Sequence, residues 1–201
     1  MKQYKIQSGL LDRQRDLIVA PDYIAFDNNE LKSAGPTTIY KQDIKDIKLF
    51  AEAIRWDLLY VGQKYTLAVK DQHDKVLVIR MKNFFGLRNH CRQTYAEITR
   101  LVWEYYLKDI VDQYLIRFYE HNETLTVGNL IIHHDGIALA GSKVNFDWPE
   151  IAFKPYTRFW VISAPTKPEH AIHLDRTDWN TAMLSSLIET ILQERKGNQN
   201  L

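Results

Sequence analysis

The sequence predicts a mainly β fold with helices: two strongly bent sheets or barrels in tandem, each closed by a C-terminal amphipathic helix. Three observations predict it. Residues 16–26, DLIVAPDYIAF, lie over residues 129–139, NLIIHHDGIAL, without a gap. Both stretches break short apolar runs with turn residues, the pattern of consecutive hairpins. An apolar stripe at helical spacing follows the last hairpin of each copy.

The correspondence continues along the chain. Leu17 matches Leu130, Ile18 matches Ile131, Asp22 matches Asp135, Ile24 matches Ile137 and Ala25 matches Ala138. IYKQDI at 39–44 then lies over FDWPEI at 146–151, and YTLAV at 65–69 over FWVIS at 159–163. The order is kept while the spacing shrinks, so the first copy carries about 6 extra residues in one loop and about 13 in another.

Within copy one, Leu17 to Val19 and Tyr23 to Phe26 flank Pro21-Asp22, two strands about a tight turn. In copy two the turn is His134-Asp135-Gly136, where the Asp-Gly pair predicts the positive φ of a primed hairpin turn. Tyr65 to Val69 and Val76 to Ile79 flank the polar turn Asp71–Asp74, and Phe159 to Ile162 and Ala171 to Leu174 flank a turn at Pro165–Pro168. From Phe84 the residues Leu87, Cys91, Tyr95, Ile98, Val102 and Tyr105 recur every three or four places, the stripe of a helix packed on one face. With no Pro or Gly between Leu87 and Tyr119, one helix over 87–119 is expected to cap copy one and lead into copy two. In copy two, Trp179, Met183, Leu187 and Ile191 form a helical row, with Asp178 or Thr177 as the N-cap and Gly197 as the stop. The expected domains are 1–112 and 113–201. The alternative is a single α+β domain with one larger antiparallel sheet.

About seven short strands followed by one helix, twice over, resemble the pleckstrin-homology-like (PH-like) fold. TVGNLIIHHDGIAL and FDWPEI look like the first hairpin and the Trp-containing strand of small bacterial members of that group. Copy one departs from this pattern, with Tyr-Lys-Gln where copy two has Asp-Trp-Pro. The resemblance implies a binding or scaffolding role rather than an activity.

Charge narrows the partners. With 26 Lys plus Arg against 25 Asp plus Glu in 201 residues, the formal charge is +1, and no field of either sign gathers nucleic acid. The single cysteine, Cys91, makes no internal disulfide and falls on the apolar stripe, a small buried side chain in a reducing, cytoplasmic setting. No stretch reaches the roughly 20 apolar residues of a membrane helix, and the first residues contain no apolar run of signal-peptide length.

Chemistry-bearing patterns are absent. The sequence contains no G-x-S-x-G, G-x-x-x-x-G-K-[ST], H-E-x-x-H or G-x-G-x-x-G, so no catalytic residue, cofactor or metal is expected. His133 and His134 are neighbours on a turn, His170 and His173 fall on opposite faces of a strand, and His90 beside Cys91 lacks a ligand one turn away. An enzyme or small-molecule site whose groups converge only in three dimensions stands as a further alternative.

Some PH-like domains bind inositol phosphates through basic residues flanking the first hairpin turn. Candidate anionic-lipid contacts here are Arg13, Arg15, Lys41, Lys45 and Lys48, interrupted by Asp12, Asp16, Asp43 and Asp46. They support membrane contact weakly. The aromatic residues point elsewhere. Tyr105, Tyr106, Ile110, Tyr114, Leu115 and Phe118 place apolar side chains almost all round the connecting helix, which predicts burial on several sides between the copies or against a partner. Trp56 lies in the insertion AEAIRWDLLYVGQ, too apolar for an idle loop and expected to be a hairpin arm or helical turn docked onto something. The function these residues favour is a non-enzymatic binding or scaffolding protein that joins a protein partner or another copy of itself. A peripheral lipid-binding adaptor is the alternative.

Overall fold

The computed structural model describes residues 1–8, 12–28, 35–84, 89–167 and 169–198. The expected helix start at Leu87 and the turn residue Pro168 lie outside them. The fold is mainly β with helices, and the chain divides into two compact units, Met1–Lys108 and Asp109–Leu201.

In the first unit, β1 (Lys2–Ile6), β2 (Arg15–Val19), β3 (Tyr23–Phe26) and β4 (Thr37–Tyr40) form an antiparallel meander in sequence order. Alternation sets its faces: Leu17 and Val19 are fully buried while Ile18 between them is half-exposed. A 3-10 turn at Lys41–Asp43 leads into a second meander, β5 (Ile44–Trp56), β6 (Leu59–Asp71) and β7 (Val76–Phe84). Helix α1 (Asn89–Val102) follows and buries Cys91, Ile98, Leu101 and Val102. Phe84, expected on the helical stripe, instead ends β7, paired with Gly62. β1 escaped the sequence reading because only Tyr4 and Ile6 interrupt its polar residues. Lys2 on this strand pairs with Glu97 of α1.

The helix does not stop at Val102. Trp103–Leu107 forms a π turn that passes into α2 (Lys108–Tyr119) without a break in helical backbone. Contrary to expectation, the helix is not buried all round: Ile116 and Tyr119 are exposed.

The second unit runs through the same order of elements. β8 (Leu125–Val127), β9 (Leu130–Ile132), β10 (Gly136–Leu139) and β11 (Asn145–Asp147) form one meander. A 3-10 turn at Trp148–Glu150 leads to the second, β12 (Ala152–Pro155), β13 (Phe159–Ser163) and β14 (Ala171–Asp175), and α3 (Thr181–Asn198) follows. The two 3-10 turns match in backbone: Tyr40 and Asp147 enter at φ −79 and −76, and Ile44 and Ile151 leave at φ −70 and −68. Among the described residues four separate sheets occur, where two strongly bent sheets or barrels, or one larger sheet, were expected. None of the four closes into a barrel, each being an open row of antiparallel strands.

Two local expectations in this unit are corrected. The hairpin His133–Gly136 is closed by paired backbone bonds of 2.8 and 3.2 Å, yet neither Asp135 nor Gly136 has a positive φ. Gly136 is required for another reason: a Cβ there would lie 2.0 Å from the carbonyl oxygen of Phe146 on β11. Helix α3 begins after Asn180, whose carbonyl accepts the first helical bond from Leu184 at 2.8 Å. Asp178 and Thr177 are therefore not its N-cap, Trp179 precedes the helix, and Gly197 lies within it. The Asp175 side chain instead holds the turn by accepting from the Thr177 amide and hydroxyl, at 2.8 and 2.7 Å.

Candidate interaction surface

The two units differ most in one hairpin. β12 and β13 have 4 and 5 residues, whereas β5 and β6 have 13 each. β7 covers β6 only as far as Gly62, and beyond it β5 and β6 continue as a two-stranded arm, Arg55 against Tyr60 and Trp56 against Leu59. Gly62 allows this crossing, since a Cβ there would meet the Asn83 carbonyl oxygen at 2.1 Å. A register shift between Ile54 and Arg55 adds local twist to the arm. Asp57, at φ 54, takes the left-handed position in the two-residue loop, a conformation that aspartate tolerates better than most side chains.

The arm carries its apolar residues outward. Trp56 is 77% exposed, Leu58 90%, Leu59 70% and Tyr60 63%. Against the described residues of its own unit, the docking expected of this insertion does not occur. A two-stranded extension has no third strand or helix to cover either face, so side chains that would be core in a wider sheet stay in water. Arg55 and Asp57 flank Trp56 in sequence, both exposed and neither in an ion pair among the described residues, while below the arm, where β7 still covers β6, Lys64 pairs with Glu52 at 2.5 Å.

At the base of the arm lies an open cavity of about 600 Å³, lined by Tyr60, Gly62, Gln63, Tyr65, Asn83 and Arg92. Burial raises the Tyr65 phenol above its ordinary pKa, and its hydroxyl donates to Gln63 Oε1 at 2.9 Å. The Tyr65 ring also packs on that of Tyr95 from α1, with centroids 4.9 Å apart. In the second unit a cavity of about 440 Å³ is bounded by Tyr119, Trp148, Pro149, Leu192, Glu194 and Arg195. There the Arg195 guanidinium lies 5.3 Å from the Trp148 ring centre and donates to the His134 carbonyl at 2.6 Å. Burial, together with the Glu194 carboxylate that takes its hydrogen bond, pushes the Tyr119 phenol up to about 12. Neither cavity brings a nucleophile against a general base. Among the described residues no three His, Cys, Asp or Glu side chains gather as a metal site would require.

Two of the six helix residues singled out from sequence lie in the interior. Tyr106 and Phe118 are buried at 1% and 0% exposure and present no surface to a partner; Tyr105, Ile110, Tyr114 and Leu115 are half-buried. Phe118 stacks on the His134 ring at 4.5 Å and meets Trp148 edge-on at 6.4 Å. The Tyr106 hydroxyl sits 2.5 and 2.7 Å from the carbonyl oxygens of Ala20 and Tyr23, the residues that flank the first hairpin turn. His133 holds the place of Ala20 in the second unit, and there the Trp148 indole Nε1 donates to its carbonyl at 3.0 Å. One acceptor is thus served by two different donors, because Lys41 stands where the second unit has Trp148. Sequence offered no signal for this pairing.

The candidate lipid contacts are drawn into pairs on the protein itself. Arg13 holds Asp27 at 2.9 Å, Arg15 lies 3.6 Å from Asp12, and Lys45 holds Asp74 at 2.9 Å. The Lys45 hydrogen bond keeps the Asp74 carboxyl below the usual range. Lys41 and Lys48 are half-buried. No helix among the described residues is long and apolar enough to cross a membrane. No protein-family model matches the chain, and no curated protein matches it.

Proposed function

We propose that the chain is a non-enzymatic binding or scaffolding protein, built of two PH-like units and acting through association with protein, either a partner or another copy of itself. The order of elements in each unit, a four-stranded meander, a 3-10 turn, a three-stranded meander and a helix, supports the PH-like reading. The single observation that carries the binding role is the arm. Trp56, Leu58, Leu59 and Tyr60 are all exposed at its tip, and such residues are kept in water at a cost unless something covers them.

Tryptophan and tyrosine on a projecting hairpin suit recognition, because each presents a large rigid area and loses little side-chain entropy on contact. The lipid-binding alternative receives less support, since Arg13, Arg15 and Lys45 already pair with carboxylates. Light scattering over a range of concentrations, joined to capture of partners from lysate, tests the proposal. A strict monomer that captures nothing would remove it.

A further inference from the structure

We infer that a cleft in the first unit, between β7 and the end of the β2–β3 hairpin away from its turn, receives a phosphorylated side chain of a partner protein. The inference rests on the protein-binding role proposed above and gives it a second surface with its own chemistry. The cleft is an open cavity of about 310 Å³. β7 supplies one wall by alternation: Leu77, Ile79 and Met81 are buried, which turns Val78, Arg80 and Lys82 to the other face. Arg15 and Phe26, on paired strands, form the other wall, with Ser8 and Asn28 beside them.

Charge selects the ligand. Among the described residues no aspartate or glutamate lines the cleft, and the side chains of Arg80 and Lys82 enter no ion pair or hydrogen bond. Arg15 differs, with the Asp12 carboxylate 3.6 Å away and the Asp27 carbonyl at 3.4 Å. Asn28 adds donors, since its side-chain oxygen accepts from the Thr37 hydroxyl at 2.7 Å and its amide N–H groups remain. With Asp12 set against Arg15, the charges of Arg80 and Lys82 are left uncompensated. A phosphate monoester, at about −1.5 to −2 near neutral pH, matches them. A carboxylate or a phosphate diester, with one charge, leaves a cation over. Arg80 and Lys82 stand two residues apart, roughly 7 Å along the strand, a span one phosphate group bridges with a charge-assisted bond of about 2.8 Å on either side.

The surroundings select a protein as the carrier. A small phosphorylated molecule binds where roughly 70–90% of its surface is covered, and this cleft is too open for that. A membrane is drawn by a field wider than one site, and around the cleft that field is cancelled. Arg13 is paired with Asp27, Lys5 with Asp16, and Lys64, opposite Lys82 in the ladder, with Glu52. A phosphorylated side chain needs only its head group held, because flanking residues of the partner supply the rest of the contact.

Two measurements on the full chain test the inference. Heteronuclear NMR with phenyl phosphate probes the site, and retention of phosphoserine and phosphotyrosine peptide libraries with degenerate flanks probes the carrier. Phenyl phosphate should shift the amides of Asn28, Arg80 and Lys82. In Arg80→Gln with Lys82→Gln its dissociation constant should rise by about tenfold or more, as the loss of two charge-assisted bonds implies. Lys64→Gln should change it by less than about twofold, since that ammonium is held by Glu52. The double variant breaks no bond within the described residues and should fold, which circular dichroism checks. A library should be retained more strongly than its dephosphorylated form, and the double variant should lose that difference. No shift at these amides, or a titration that the double variant leaves unchanged, overturns the site. Retention on phosphatidylcholine vesicles carrying phosphatidic acid, without retention of either library, assigns the site to a membrane and overturns the protein carrier. Binding of phenyl phosphate with neither vesicles nor libraries retained overturns it in favour of a small soluble ligand. Partner capture by the double variant reads the arm alone, so each of these failures is distinguishable from failure of the binding role.

Discussion

Replacing Tyr106 by phenylalanine isolates one hydroxyl in the interior of the first unit. The ring is 1% exposed and is retained, so no cavity opens and the packing term cancels. What is lost is the O–H that lies 2.5 Å from the Ala20 carbonyl and 2.7 Å from that of Tyr23. The Tyr23 carbonyl also accepts from the Ala20 amide at 3.0 Å, so the burden falls mainly on Ala20. Leaving a buried acceptor without its donor costs about 1–3 kcal/mol, which for a unit of this size moves its melting temperature by several degrees.

A second signature separates this cause from generic destabilisation. Burial raises the Tyr106 phenol well above its ordinary value, so the native protein keeps a proton that the unfolded chain releases near pH 10. The contribution is therefore complete below about pH 10 and declines as pH rises past it. In Tyr106→Phe that part of the alkaline loss should vanish. Urea denaturation followed by circular dichroism at pH 7 and pH 10.5 measures both effects. Superimposable curves for the two proteins at both pH values would refute the role given to the hydroxyl.

The second unit provides a parallel case, in which Trp148→Phe keeps an aromatic ring but removes the donor to the His133 carbonyl; a loss of about 1–2 kcal/mol in urea is expected, and an unchanged midpoint would count against it. Gly136→Ala should cost about 3 kcal/mol or more, since the atoms it would strike are backbone on β11, and thermal unfolding reads the result. Gly128→Ala, at φ +60 with nothing within 4 Å of the new Cβ, should cost only about 1 kcal/mol, and equal losses for the two glycines would undo the distinction. Vesicles rich in anionic lipid should retain no more protein than neutral vesicles at physiological salt. Recovery that rises as salt falls would restore the lipid contacts at Arg13, Arg15 and Lys45.

Hairpins were legible in the sequence because alternation and turn residues are local signals, and the internal match extended them from one copy to the other. Legibility failed where a residue answers to something distant. Gly136 carries the sequence mark of a positive-φ turn, yet it is constrained by the Phe146 carbonyl ten residues away. Phe84 has the spacing of the helix that follows but is held in a ladder by Gly62. The start of α3 was misplaced because Thr177 and Asp178 have the composition of a cap while Asp175 uses that segment for its own turn. Of the surface, sequence marked Trp56 and the apolar residues after it, since they are too hydrophobic for a loop. That the fold leaves them uncovered depends on where β7 ends, and no local pattern records that.

The second unit is, in effect, a natural deletion experiment on the arm. It joins its corresponding strands after 4 and 5 residues and still buries Ile162, Leu187 and Ile191 completely. Folding therefore does not need the extra length that the first unit carries. Tip residues contribute nothing to closing a core, so the association proposed for them would be open to change by substitutions that leave folding intact.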